Sequence, residues 1–177
     1  QKSALGYVKA SKEGNNMRTF TAEKTNGGTS WGAVYAQWMQ PVEDVKSATA
    51  GMTVERMFFK DGKRLSTLDH LKVGDRLTVR IVITADRDYD FVQVADHRAA
   101  CMEPTSQLSG YRNGCYVATK DNASYFYFDV LSKGRHTVET TYYIDRAGSY
   151  RTGLCTAQCA YSPEFAGRDK SWEVKSE

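Results

Sequence analysis

The sequence contains no stretch that reads as an amphipathic helix, no internal repeat and no low-complexity tract. No apolar run approaches the length of a membrane-spanning helix. No block of Lys and Arg occurs, and a net charge of +3 is too mild to argue for a nucleic-acid partner. No short Cys-x-x-Cys knuckle is present, which counts against a structural metal site. No G-x-S-x-G elbow presents a serine nucleophile. The glycine-rich turn Asn26-Gly27-Gly28 precedes a strand pattern rather than a helix, so it makes no phosphate cradle. The chain opens on Gln1, not a natural initiator, and so reads as a processed or cut chain. The missing leader therefore says nothing about compartment.

What is present is strand grammar. The chain has 177 residues with 41% hydrophobic and 12% aromatic content, values of a globular chain long enough for one domain or one domain plus part of another. Eleven Tyr against seven Phe suit broad, half-buried sheet faces, where a ring packs and its hydroxyl stays wet. The clearest stretch is Leu71–Ala100. Leu77, Val79, Ile81 and Ile83 fall on one face, Thr78, Arg80 and Thr84 on the other, with Val82 breaking the polar side. Val73-Gly74-Asp75 turns into it, Asp86-Arg87-Asp88 breaks it, and Tyr89–Val94 follows as a second strand. The same pattern predicts strands over Met52–Lys60 (Met52 and Val54 inward), Cys115–Thr119, Ala123–Val130, Arg135–Asp145 and Ser149–Tyr161, with Glu173–Lys175 as an edge strand. Short strands separated by turn signals predict an all-β fold, an antiparallel β-sandwich.

Before this sandwich, residues 1–45 form a separate unit, an N-terminal β-strand extension. It has strand signals at Leu5–Lys9, Met17–Glu23 and Ser30–Met39, and turns at Gly14-Asn15-Asn16 and Asn26-Gly27-Gly28. Pro41–Gly51 is the linker candidate, and the second unit covers residues 46–177. If residues 1–45 are part of a split domain, their apolar faces are expected to pack on the second unit or on another copy of the chain. In the second case the fragment self-associates.

The candidate chemistry is sparse. Cys101, Cys115, Cys155 and Cys159 are possible disulfide partners or buried free thiols. In a regular strand Cys155 and Cys159 sit ~13 Å apart on one face, too far to bridge without a kink. Cys101 and Cys115 bracket a Pro/Ser/Gly loop that a bridge would close. Asp96-His97 with Glu103 reads as a solvated or structural group rather than an acid/base pair. Asp86, Asp88 and Asp90 alternate on a connection but lack the glycine and terminal Glu of a calcium loop, so a charged turn is expected. Trp31 and Tyr35 share strand parity while Trp38 falls on the opposite face, which speaks against one continuous glycan platform. No metal and no cofactor is expected. The strongest interaction candidate is Tyr161-Ser162-Pro163-Glu164-Phe165. Pro163 ends ladder pairing there and Tyr161 and Phe165 flank it, an arrangement that presents apolar area at low entropic cost; the alternative is that both rings pack on their own sheet end.

In order, SWGAVYAQW, LKVGDRLTVRIVITADRDYDFVQVADHRA with the following MEP, LSKGRHTVETTY, AGSYRTGLCTAQCAYSPEF and Gly167-Arg168 resemble the C-terminal end of a bacterial alpha-2-macroglobulin-like protein. Residues 46–177 resemble its final macroglobulin domain, at the position of the receptor-binding domain in animal relatives. Residues 1–45 resemble the last strands of the preceding CUB-like domain. The resemblance implies a macroglobulin-like sandwich without enzymatic activity, taken from a protease-trapping protein (a protease inhibitor) of the bacterial periplasm or cell surface. Its implied partners are neighbouring domains of the same large chain, the thioester domain first, and indirectly the target proteases. On this chain the thioester-shielding loop would be Tyr161, Pro163 and Phe165. Ala160 departs from the larger apolar residue usual beside that loop, and the Cys-x-Glu-Gln thioester motif is absent from these 177 residues. A surface adhesin or glycan-binding module is the alternative from the residues alone.

Overall fold

A computed structural model describes residues 6–14 and 18–177. The chain divides into two units, Gln1–Gln37 and Trp38–Glu177. In the first, no strand forms among the described residues, and Trp31 and Tyr35 are 94% and 92% exposed. The expected strands Leu5–Lys9, Met17–Glu23 and Ser30–Met39 are not realised in the residues described. Leu5, Met17 and most of the Gly14-Asn15-Asn16 turn lie outside them. Alternation fixes which faces a strand would have, but a strand exists only where a neighbour takes its backbone donors and acceptors.

The second unit is all β apart from a short 3-10 turn at Val42–Asp44. Its strands are β1 Ala48–Ala50, β2 Met52–Lys60, β3 Lys63–Leu65, β4 Leu68–Leu71, β5 Arg76–Ala85, β6 Tyr89–His97, β7 Met102–Pro104, β8 Gly110–Arg112, β9 Cys115–Thr119, β10 Ala123–Leu131, β11 Gly134–Ile144, β12 Gly148–Arg151, β13 Cys155–Cys159, β14 Ala166–Asp169 and β15 Glu173–Ser176. A seven-stranded sheet runs β1-β14-β13-β6-β10-β9-β8, and a five-stranded sheet runs β3-β2-β5-β11-β7. Both are antiparallel throughout. A small third sheet, β12-β15-β4, includes one parallel pair, β15 with β4.

The core between the layers follows from alternation. Met52, Val54 and Phe58 of β2, Leu77, Val79, Ile81 and Ile83 of β5, and Val138, Tyr142 and Ile144 of β11 are buried. Buried with them are Val92 and Val94 of β6, Phe126 and Phe128 of β10, and Cys155 and Ala157 of β13. The third sheet adds Leu68, Leu71 and Val174, and Trp172 packs edge-on to Phe58 at 5.2 Å between centroids.

One residue of the inward row of β2 is charged. Arg56 follows Met52 and Val54 in parity and is 1% exposed. Its Nη1 donates to Asp96 Oδ1 at 2.7 Å and to the His97 carbonyl at 3.2 Å. Its Nη2 donates to Thr152 Oγ1 at 2.9 Å and to the carbonyls of Gly153 and Lys170, both at 2.8 Å. Its Nε is buried without a partner among the described residues. Asp96 Oδ2 accepts from Tyr142 Oη at 3.2 Å, which shares a 2.8 Å hydrogen bond with Ser124 Oγ. Burial, followed by the nearby Asp96 charge, pushes the Tyr142 phenol far up, so it stays protonated. This chain of groups links β2 and β11 of one layer to β6 and β10 of the other.

The same arginine corrects one strand. Ser149–Tyr161 is not continuous: Thr152-Gly153-Leu154 interrupts it, leaving β12 in the third sheet and β13 in the seven-stranded one. The interruption aims the Gly153 carbonyl and the Thr152 hydroxyl at Arg56, and a Cβ on Gly153 would stand 2.5 Å from His97 Cβ. The Glu173–Lys175 segment is not an edge either, since β15 lies between β12 and β4.

The possible disulfides are corrected as well. Cys101, Cys115, Cys155 and Cys159 are free and buried. Cys155 and Cys159 occupy the two ends of β13, as strand geometry requires. Cys101 leads into β7 of one layer while Cys115 opens β9 of the other, and layers stand ~10 Å apart. Burial pushes the thiols of Cys101, Cys115 and Cys155 above their ordinary range. The native chain is expected to resist alkylation at neutral pH and to yield four reactive thiols in denaturant. Fewer than four after unfolding would show a bridge. Removing the guanidinium (Arg56→Met) leaves Asp96 buried without its counter-ion, and is expected to cost about 3–5 kcal/mol in urea unfolding. Adding Asp96→Leu should recover part of that loss, because the carbonyls of His97, Gly153 and Lys170 remain unpaired.

Candidate interaction site

The loop between β13 and β14 is a hairpin connection. Cys155 stands opposite Asp169 and Gln158 opposite Ala166. The Cys159 N–H closes the loop on the Phe165 carbonyl at 3.1 Å. Inside it, Phe165 N–H donates to the Ser162 carbonyl at 2.9 Å, a β-turn with Pro163 at its second position. Proline suits that position because its φ is preset and the turn asks nothing of its missing N–H. Gln158 Nε2 holds the turn through the Pro163 carbonyl at 3.1 Å, and Ala160 N–H donates to the Phe91 carbonyl at 2.9 Å.

The three expected site residues are adjacent in this loop but differ in role. Phe165 points inward. Its ring lies 5.4 Å from that of buried Tyr89, and the Arg87 guanidinium covers it at 5.3 Å. Tyr89 Oη donates to Asp86 at 2.5 Å, and Asp86 also pairs with Arg87 at 3.0 Å. The hydrogen bond from Arg87, then that from Tyr89, holds the Asp86 carboxyl below the usual carboxylate range. Pro163 is exposed, and Tyr161 is 79% exposed. The ring that meets Tyr161 is Phe91, edge to face at 5.2 Å and 87°. Phe91 is 50% exposed and holds a left-handed φ of 54°.

Phe91 was not legible as a site residue, since Tyr89–Val94 reads as one apolar run. Its backbone decides its role. Val92 and Val94 point into the core, yet Tyr89 also does, so the inward-outward alternation slips at Phe91. Gly51 makes room for the inward aromatics. It has a φ of 82°, and a Cβ there would lie 2.1 Å from Tyr89 Oη and 3.0 Å from Phe165 Cδ1.

The outer face of the seven-stranded sheet continues from this tip with few charges. Gln93 of β6 stands between Tyr127 of β10 and Gln158 of β13 in the register, and Tyr127 lies opposite Tyr116, which lies opposite Tyr111. Tyr111 and Tyr116 are 5.3 Å apart between centroids, Tyr116 and Tyr127 6.5 Å, and Tyr127 and Tyr125 6.2 Å.

The other candidates are drawn into structure. Asp96 is held by Arg56 and Tyr142, and Glu103 stands on β7 in the opposite layer. Asp86 is engaged by Arg87 and Tyr89, and Asp88 caps the Lys133 N–H at 2.6 Å. Among the described residues no group of three or more His, Cys, Asp or Glu is placed to hold a metal ion. No helix among them is long and apolar enough to cross a membrane.

Residues 51–164 match the family model described as the bacterial alpha-2-macroglobulin MG10 domain. The chain belongs to this family. The macroglobulin-like sandwich also matches solved structures. Salmonella alpha-2-macroglobulin reacted with methylamine superposes with a TM-score of 0.67 at 18% identity, over 75% of this chain and 10% of that one. The native Escherichia coli alpha-2-macroglobulin fragment from domain MG7 to the C-terminus gives 0.68 at 15% identity, over 77% of this chain and 25% of that one. The native conformation of the E. coli protein gives 0.69 at 14%, over 78% and 10%. At such identities the likeness shows the fold alone. This chain spans about a tenth of the length of the whole proteins it matches. No curated protein sequence matches it.

The site yields a direct stability prediction. Gly51→Ala forces a side chain into the space of Tyr89 and Phe165 at an unfavourable φ, and is expected to cost about 1–3 kcal/mol in urea unfolding. An unchanged midpoint would mean that Phe165 and Tyr89 do not anchor the loop.

Proposed function

We propose that this MG10-type domain is a non-catalytic interaction module of a protease-trapping protein, docking on a neighbouring thioester-type domain through the Tyr161 tip. The observation that carries the reading is the division of labour in the loop. Phe165, Gln158 and the Phe91 carbonyl hold the loop in place, while Tyr161 and Phe91 offer a preformed pair of aromatic rings to solvent. A rigid aromatic pair loses little side-chain entropy on binding, and such rings are the usual anchors of interfaces. The uncharged Tyr and Gln face beside it is compatible with a covering domain. The same geometry supports shielding, because two rings docked over a reactive acyl group would exclude water from it. Ala160 contributes little area, so the shield rests on Tyr161 and Phe91 rather than on the residue before the tyrosine. The parent protein would act outside the cytoplasm, in the bacterial periplasm or at the cell surface, with proteases as indirect partners.

The test is made in the parent protein. Tyr161→Ala and Phe91→Ala are expected to speed thiol release on methylamine addition by about tenfold or more, while Tyr111→Ala leaves it unchanged. A parent chain without a thioester domain upstream, or equal rates in all variants, would overturn the reading.

A further inference from the structure

The two layers of the sandwich do not end together on the β11 side. The seven-stranded sheet continues past β10 through β9 and β8, whereas the five-stranded sheet stops after β11 with only the three-residue β7 on its flank. β5 pairs with β11 from Gly134 to Tyr143, but β7 reaches only Tyr142–Ile144. The Thr141 carbonyl accepts from Thr105 N–H at 3.0 Å, and Asp145 N–H donates to the Cys101 carbonyl at 3.0 Å. Odd-numbered residues of this strand therefore aim their backbone groups at the β7 flank, and by alternation Arg135, Thr137 and Glu139 do the same. Beyond Thr105, no strand among the described residues meets them.

Beside this open flank lies a cavity of ≈ 200 Å³, lined by Leu108, Cys115, Val117, Phe126, Val138 and Thr140 among others. Val117, half-buried and opposite Phe126 in the register, lies in the part of β9 that a strand added to the facing sheet would cover. Thr140 Oγ1 is buried at the cavity and has no hydrogen-bond partner among the described residues. Glu139, at the cavity, is committed to Arg80 at 2.6 Å, while Arg135, farther along the same flank, is exposed and has no ion-pair partner among the described residues.

We propose that the open flank of β11 is a strand-addition site for an extended peptide segment with alternating apolar side chains and a carboxylate opposite Arg135. The segment continues the β7 ladder as a sixth strand, bonding to Arg135, Thr137 and Glu139. Its main chain supplies affinity and its inward side chains supply specificity, the usual division in strand addition. One large apolar side chain enters the cavity over Val117 and Phe126, and a polar atom beside it meets the Thr140 hydroxyl. The acidic residue answers Arg135 as opposite charges do across neighbouring strands. A second copy pairing edge to edge does not fit this space, because its own overhanging β9 and β8 would fall on it. The site lies apart from Tyr161 and is independent of the docking reading.

The test pans a phage-displayed library of random decapeptides on the full chain. Enriched sequences are expected to alternate apolar residues and to carry Asp or Glu. Thr137→Pro blocks the flank without removing a ladder bond to β5, since the Thr137 N–H faces outward, and should weaken the enriched peptides by about tenfold or more. Val117→Trp, which fills the cavity, should do likewise, and Tyr161→Ala should not. Peptide addition should slow amide hydrogen exchange at Thr137 and Glu139. If Val117→Trp does not fold, Thr137→Pro and the exchange measurement decide. Lack of any enriched family, equal affinity for Thr137→Pro, unaltered exchange, or dimerisation that Thr137→Pro abolishes would each overturn the proposal.

Discussion

The buried guanidinium of Arg56 is the constraint around which the sandwich is registered. A cation placed between two apolar layers must be paired and hydrogen-bonded, because desolvation of either ion alone costs several kcal/mol. Here the fork reaches Asp96 and Thr152 and three main-chain carbonyls, those of His97, Gly153 and Lys170. Lysine, with three donors on a flexible stem, has no equivalent planar fork. The carbonyls come from the end of β6, the break between β12 and β13, and the residue after β14, so one side chain of β2 sets where three segments of the opposite side begin or end. Asp169 adds to the same seam by accepting from the Arg56 backbone N–H at 2.7 Å.

The aromatic tip inherits its position from this seam. β13 starts where the Thr152-Gly153-Leu154 break allows, and β14 ends on Asp169, so the hairpin between them is held at both feet. Its crown is then fixed by short-range groups: the Phe91 carbonyl, the Gln158 amide and the ring of Phe165. Two aromatics that look equivalent in the sequence come to do opposite things. Phe165 is the anchor, wedged beside Tyr89 over the bare Cα of Gly51, and Tyr161 is the presented group. Phe91 completes the pair because its left-handed backbone turns its ring outward. Such a conformation is uncommon for a bulky residue and persists only where the surroundings overdetermine it.

Much of the fold was legible from alternation. The bounds of β2 and β9 coincide with the runs Met52–Lys60 and Cys115–Thr119, and β5, β6, β10 and β11 differ from their runs only at the ends. Where the reading missed, a tertiary partner had intervened. Ser149–Tyr161 carries an unbroken strand pattern, and it divides where Thr152 and Gly153 turn acceptors to Arg56. Glu173–Ser176 is charged and short enough to suggest an edge, yet the third sheet pairs it on both sides. The short strands β3, β4, β7 and β8 offer too few residues for periodicity to register. Before the sandwich the order is reversed: Ser30–Met39 has the pattern of a strand and no strand partner among the described residues.

By itself the sequence determined the class of the molecule, because a period of two with frequent turns permits only sheets, and the order of its segments placed it among bacterial alpha-2-macroglobulins. Together with the family resemblance it also pointed to the Tyr161–Phe165 loop, where proline stands between aromatics at a strand end. Only the tertiary structure decided which of those aromatics faces solvent, that Phe91 joins it, that the four thiols stay apart, and that the five-stranded layer ends before its partner layer does. The physical reason is common to all four. Alternation assigns a residue to a face, but what lies across that face depends on contacts between segments distant in sequence, and those are set by pairing and by the buried charge that registers it.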